Sequence, residues 1–160
     1  MLDAGTERAA LEDRIRVLED KDAIRALMMR GWRALDRKDW QGWIDCWTED
    51  AEFFFGPWDV TRGRGAIRGK VVAAEAPLAA MQHHILNMQV EVDGDEAAGT
   101  GYMWFVSLAD AARPDRIYEM GGPYAWRFKR TPDGWKVARQ HLDVTWTKGE
   151  DATEAFAAEG

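Results

Sequence analysis

The sequence has little cysteine, no excess of basic charge and no long hydrophobic run, and each shortage excludes a class of protein. The single Cys46 cannot form an internal disulfide, which agrees with a reducing compartment. The 28 Asp and Glu residues outnumber the 21 Lys and Arg residues, so nucleic acid or an anionic membrane is a poor fit as main partner. No apolar run is long enough to span a bilayer, and residues 1–5 lack the pattern of a signal peptide. We therefore expect a cytoplasmic protein.

Metal-binding motifs are also scarce. The three histidines, His83, His84 and His141, do not combine with the one cysteine at the spacing of a zinc site. We expect neither a metal nor a cofactor.

Aromatic and sulfur-containing side chains are abundant instead. The chain carries nine Trp, six Phe, three Tyr and seven Met in 160 residues. Such side chains fill the cores of most proteins, and they also line pockets for flat or apolar ligands. Length and composition fit one domain, which we place at residues 1–148, followed by an acidic, alanine-rich tail at residues 149–160.

The hydrophobic pattern predicts helices first and strands afterwards. Apolar residues recur at three- and four-residue steps up to Leu35, Asp39 is a good N-cap, and Asp93-Gly94-Asp95 marks a hairpin turn. The predicted helices cover residues 9–35 with a break near 19–22, 39–47 and 64–75, and the predicted strands cover 51–55, 81–92, 97–108, 117–129 and 135–147. This order predicts an α+β fold in which a curved mixed or antiparallel sheet wraps around the N-terminal helices and leaves a cone-shaped pocket.

Asp36 is the first candidate for chemistry. It lies on the apolar side of the first helix, near Met29 and Trp32, where a carboxylate is costly unless it has a partner. The alternative is a helix-end residue that turns to solvent. A buried Asp that faces a His is a minimal set of groups for moving protons in a dry pocket.

His83 and His84 are the candidate partners. Because they are adjacent in a predicted strand, their side chains point to opposite faces of the sheet. By strict alternation His84 shares a face with Leu86, Met88 and Val90, which looks like the core side. Periodicity alone therefore favours His84 as the inward residue.

Four local motifs carry a resemblance to a known family. They are the helix-end segment Leu35–Trp40, the helix start Gly63–Ile67, the hairpin His84–Asp95 and the turn Asp133–Lys136. In this order they resemble the SnoaL-like branch of the nuclear transport factor 2-like superfamily, over roughly residues 15–147. The resemblance implies the same cone-shaped α+β fold.

The resemblance also implies a catalytic pair. Asp36 aligns with the catalytic Asp of scytalone dehydratase and of bile-acid 7α-dehydratase, and His83 aligns with a catalytic His of the former. A bulge between residues 84 and 89 would reconcile His83 with the alternation, so we take His83 as the catalytic residue and hold His84 in reserve. The chain departs from these enzymes at Leu35 and Gly31, where tyrosines are expected.

The implied function is that of a cofactor-independent lyase of the dehydratase type, an isomerase or a cyclase. Its substrate would be a hydrophobic, cyclic, polyketide- or steroid-like small molecule. We expect Tyr102 and Tyr124 as further acid–base groups, and the expected substrate-binding residues are Trp32, Phe54, Trp58 and Trp104.

Two further expectations concern partners. The alternative function is a non-catalytic small-molecule binding protein, or a structural partner like the small subunit of ring-hydroxylating dioxygenases. We also expect a homodimer or higher homo-oligomer, formed by the sheet face that carries Met103 and Phe105.

Overall fold

The computed structural model describes residues 3–157 as one long helix, two shorter helices and seven strands. Their bounds are α1 Ala4–Asp36, α2 Trp40–Ile44, α3 Arg64–Glu75, β1 Trp47–Phe55, β2 Thr61–Arg62, β3 Ala80–Asp93, β4 Glu96–Leu108, β5 Ile117–Thr131, β6 Gly134–Leu142 and β7 Trp146–Lys148. The predicted α+β class is confirmed, and α3 has the predicted bounds. None of the described helices is long and apolar enough to cross a membrane.

The strands form one curved, mixed sheet that does not close into a barrel. The strand order is β2-β1-β6-β5-β4-β3, and β7 pairs with β5 beside this path. Only the β1–β6 pair is parallel, and the other described pairs are antiparallel. Helix α1 packs against β3 and β6 while α3 packs against β1, so the helices and the inner face of the sheet enclose the core.

Helix α1 begins earlier than predicted and runs without a break through residues 19–22. The charged residue Asp20 does not end the helix, because it is buried and accepts hydrogen bonds from distant partners. Both terminal nitrogens of Arg130 donate to its carboxylate at 2.8 and 2.7 Å, and the Trp135 indole donates at 3.0 Å. The Arg130 guanidinium holds the pKa of Asp20 below its ordinary value. The charge cluster therefore anchors α1 to the β5–β6 hairpin.

Helix α2 is shorter than predicted. Asp39 caps it as expected, since its side chain accepts a hydrogen bond from the Gly42 backbone at 2.9 Å. The helix nevertheless ends at Ile44, and Trp47 starts β1 instead of completing the apolar helix face. Trp47 is still buried, with its ring 5.5 Å from that of Trp43, because a bend in the chain lets the strand reach the same core.

The last predicted strand is divided in two. β6 ends at Leu142, and the chain continues along the same edge of β5 so closely that a Cβ on Gly122 would lie 1.7 Å from the Asp143 carbonyl oxygen. Only glycine fits at that position. Beyond this irregular segment, β7 pairs with β5 at Glu119–Gly121.

The residues of β4 that face outward are not those expected to form the dimer interface. Met103 and Phe105 are 3% and 0% exposed and face the core, so their assignment to an outer interface was wrong. Tyr102 and Trp104 are 54% and 41% exposed on the opposite face. Both faces of β4 carry large apolar residues, so the sequence alternation did not distinguish inside from outside.

Candidate functional site

The end of α1 is fixed beside the start of β3. Lys38, just past the helix, adopts a left-handed conformation with φ of 59°, which turns the chain sharply. Its ammonium group donates hydrogen bonds to the backbone carbonyls of Ala76 and Leu78 in the α3–β3 connection. This clamp holds Asp36, the last residue of α1, opposite the first residues of β3.

Asp36 and His83 are in direct contact. His83 Nδ1 lies 2.7 Å from Asp36 Oδ1, and the His83 backbone N–H donates to the same oxygen at 2.9 Å. The imidazole packs on the Phe105 ring with centroids 4.6 Å apart, and its side chain is only 7% exposed. The structure thus brings together the two residues that the family resemblance singled out.

A bulge decides which histidine faces inward. The β3–β4 register shifts between Leu86 and Gln89, and Asn87 has a left-handed φ of 52°. This irregularity inverts the alternation, so that His83 and Val90 share the inner face. His84 points outward, with Nδ1 3.0 Å from the Trp104 carbonyl oxygen. His84 as the reserve catalytic residue was therefore wrong.

Glu75 is a third member of the site that the sequence prediction missed. Its Oε1 lies 3.3 Å from His83 Nε2, and the residue is 6% exposed at the C-terminal end of α3. The signal was present, because Glu75 shares the apolar face of α3 with Ile67 and Val71 at helical spacing. The same criterion that selected Asp36 would have selected Glu75.

The two carboxylates hold a proton on His83. Burial alone would lower the pKa of this imidazole, but attraction to the Glu75 charge and hydrogen bonds to Asp36 and Glu75 raise the pKa to about 9. His83 is therefore an imidazolium at neutral pH, with one carboxyl group at each ring nitrogen.

The raised pKa of His83 gives a testable pH dependence. An NMR titration should show one imidazole titrating near pH 9 instead of 6.5, and the His83→Gln variant should lack that signal. Because the folded pKa lies above the unfolded one, the stability contributed by this contact should be complete below pH 6.5 and lost as pH rises through about 9. An imidazole at position 83 with an ordinary pKa would contradict the buried cluster.

An aromatic cavity opens beside this cluster. The cavity volume is about 40 Å³. Its walls come from α1, α2, α3, five strands and the C-terminal tail. They comprise Trp32, Leu35, Trp43, Phe53, Phe55, Trp58, Val71, Glu75, His83, Met103, Met120, Tyr124, Gln140, Leu142 and Phe156.

Three of the residues predicted to lie in the site lie elsewhere. Trp32, Trp58 and Tyr124 line the cavity as predicted, whereas Phe54, Tyr102 and Trp104 do not. Phe54 stacks on His141, with ring centroids 4.1 Å apart, on the outer side of β1. In each case the neighbouring residue in the strand points inward, since a shift of one residue moves a side chain to the other face.

The C-terminal tail closes the cavity. Phe156 is 6% exposed, and its ring stacks on Trp58 and Tyr118 at interplanar angles of 15° and 7°. The Phe156 backbone N–H donates to Asp151 at 2.8 Å, which fixes the tail's turn. Phe156 therefore brings the tail into the site, while residues 158–160 of the predicted tail lie outside the described residues.

Tyr124 supplies a neutral polar group in the cavity. Its hydroxyl accepts a hydrogen bond from the Trp32 indole at 3.5 Å. Burial raises the pKa of this phenol far above its ordinary value, so the hydroxyl keeps its proton. Within residues 3–157, no group of three or more His, Cys, Asp and Glu side chains is arranged to hold a metal ion.

Comparisons with known proteins agree with this fold. Residues 16–141 match the family described as the SnoaL-like domain. A candidate aromatic ring hydroxylase from Novosphingobium aromaticivorans is 28% identical, with 83% of this chain and 94% of that chain covered and a TM-score of 0.73. Rv3472, a protein of unknown function from Mycobacterium tuberculosis, is 32% identical, with 76% and 74% covered and a TM-score of 0.67.

A third structure shares the fold alone. A candidate scytalone dehydratase from Novosphingobium aromaticivorans is 21% identical, with 92% of this chain and 93% of that chain covered and a TM-score of 0.73. No curated protein matches the chain.

Proposed function

Because the chain belongs to the SnoaL-like domain family, we propose that it is a cofactor-independent lyase, isomerase or cyclase that works by acid–base chemistry. Its substrate is a hydrophobic, cyclic small molecule of polyketide- or steroid-like character. The observation that carries the proposal is the contact of 2.7 Å between Asp36 and His83 at the wall of an aromatic cavity.

The arrangement suits the loss of water next to a carbonyl or the shift of a double bond. Both reactions need a base that removes a C–H proton and an acid that protonates the leaving or enolic oxygen. Asp36 orients the His83 ring through two hydrogen bonds to one oxygen, so the imidazole presents a fixed edge to the cavity. The Tyr124 hydroxyl can donate a hydrogen bond to a ligand oxygen, in place of the tyrosine that is Leu35 here.

The cavity walls favour an apolar ring system as the ligand. Trp32 and Trp58 line the cavity, and Phe105 packs on the His83 ring, so flat apolar faces exclude water and can stack on a ring system. Low local polarity strengthens the interaction of the His83 charge with an oxygen that becomes negative during the reaction.

Proton exchange on a simple ketone tests the proposal without knowledge of the natural substrate. β-Tetralone is a flat bicyclic ketone with acidic C–H groups next to the carbonyl. Incubated in deuterium oxide with the protein, it should exchange these hydrogens for deuterium at least about a hundredfold faster than in buffer alone, as followed by mass spectrometry. A rate equal to that in buffer would refute acid–base catalysis on such ketones.

The second candidate is a binding protein or a structural partner without chemistry. It is favoured by one observation: with Phe156 in place, the cavity volume is only about 40 Å³. Saturable binding of β-tetralone without exchange would support this alternative.

We further propose a homodimer through the sheet face that the helices leave uncovered, with other residues than the Met103 and Phe105 expected there. The outer face of the sheet carries a contiguous set of exposed apolar residues, which are Leu86, Tyr102, Trp104 and Trp146. Patches of this kind usually mark an interface. Light scattering at micromolar concentration should give about twice the chain mass of 18.2 kDa, and Tyr102→Glu should give the monomer. A monomeric wild-type protein would contradict the dimer.

A further inference from the structure

We propose that Glu75 is the base of this site, with His83 as its acid and Asp36 as the group that positions His83. This assignment rests on the proposed function and states which group removes the C–H proton. It makes Glu75 a catalytic residue, which touches the reacting hydrogen.

The position of the Glu75 carboxylate carries the inference. One oxygen, Oε1, contacts His83 Nε2 at 3.3 Å, while the other, Oε2, is buried and has no hydrogen-bond partner within residues 3–157. A buried carboxylate oxygen without a donor is costly, so proteins rarely keep one that has no task. Glu75 also forms part of the cavity wall, where an unpaired oxygen is available to a ligand.

Asp36 is engaged differently. Its Oδ1 already accepts from the His83 backbone and faces the imidazole Nδ1, and its side chain is 24% exposed against 8% for Glu75. Asp36 is not among the cavity-lining residues. Its contacts suit it to orient the imidazole rather than to meet the substrate.

The resting charge of His83 excludes it as the first proton acceptor. Nδ1 faces Asp36 and Nε2 faces Glu75, so both ring nitrogens carry hydrogens directed at carboxylates. An imidazolium has no free lone pair. It can supply a proton, but it has to lose one before it can accept another.

The resulting elimination balances for a β-hydroxy ketone. Glu75 Oε2 takes the proton from the carbon next to the carbonyl, and the C–H electron pair becomes the new C=C bond. The C–O bond breaks, and the leaving hydroxide takes the proton from His83 Nε2 and departs as water. The protonated Glu75 carboxyl then turns so that its hydrogen faces the vacant Nε2, and transfer of this proton restores both groups.

The test compares two substitutions of Glu75 in the β-tetralone exchange assay. Glu75→Gln keeps the shape and removes the basic oxygen, so exchange should fall about a hundredfold or more. Glu75→Asp keeps a carboxylate that is one methylene further away, so it should retain part of the activity. Glu91→Gln, on the exposed side of β3, is the matched control and should exchange at the wild-type rate.

The pH profile separates this assignment from a merely structural role of Glu75. With Glu75 as base and His83 as acid, wild-type exchange is already high at neutral pH and falls as pH rises through about 9, where His83 loses its proton. With His83 as the base, the rate would instead rise through that pH.

The outcomes are distinct. A rate that rises through about pH 9, or a Glu75→Gln variant within a few fold of an active wild type, overturns the role of Glu75 alone. A wild-type protein without exchange overturns the proposed function, and this assignment with it. Loss of exchange in Glu75→Gln, with activity partly kept in Glu75→Asp and melting temperatures unchanged, supports it.

Discussion

Asp36→Asn and His83→Ala should each lower the rate of β-tetralone exchange about a hundredfold or more. Asparagine carries no charge to balance the imidazolium, and it offers one accepting oxygen where the carboxylate offers two, so the His83 ring is held less firmly. Alanine at position 83 removes the acid itself. The double variant should be little slower than either single variant, because residues that act as one unit lose their contribution together.

The control for this pair is His84→Ala. His84 is the sequence neighbour of His83, but its ring lies on the outer face against the Trp104 carbonyl, so the variant should keep the wild-type rate. Circular dichroism should show that Asp36→Asn remains folded, since the partly exposed carboxylate is replaced by a group of the same shape. Full activity in Asp36→Asn would refute the role of Asp36 in the mechanism.

Phe156→Ala should increase the affinity of the cavity for a neutral apolar probe by roughly thirty- to a hundredfold. In the wild-type protein the probe has to displace the Phe156 ring from Trp58 and Tyr118, at a cost of about 2–3 kcal/mol for one buried aromatic side chain. The variant removes that competition. The fluorescence of N-phenyl-α-naphthylamine, titrated with each protein, measures the two dissociation constants.

Phe54→Ala is the matched control for the tail residue. Phe54 also stacks on an aromatic ring, that of His141, but it lies outside the cavity, so probe affinity should stay within a few fold of wild type. Equal affinity in Phe156→Ala and wild type would show that the tail ring does not compete with ligands.

The sequence by itself determined the elements with strong local signals. Helix α3 has the predicted bounds because an amphipathic pattern stands between a glycine and an Ala-Pro pair, and both are local features of the chain. The hairpin at Asp93–Asp95 and the cap at Asp39 were predicted correctly for the same reason. Asp36 was found because a carboxylate on an apolar helix face stands out against its neighbours.

The choice between the two histidines needed more than periodicity. Alternation along β3 favoured His84, and only the family resemblance pointed to His83. The bulge at Asn87 reverses, partway along β3, which side chains face the core. The pairing of β3 with β4 determines where this reversal falls. The alternation of apolar and polar residues in the sequence does not show such a shift.

Only the tertiary structure decided what surrounds the site. Glu75 and Asp36 are 39 residues apart in the sequence and reach opposite nitrogens of His83 because Lys38 ties the end of α1 to the connection after α3. Phe156 enters the cavity from a tail whose composition predicts no packing. Local propensity acts over a few residues, whereas burial of an aromatic ring or pairing of a buried charge depends on which distant elements the fold brings within contact.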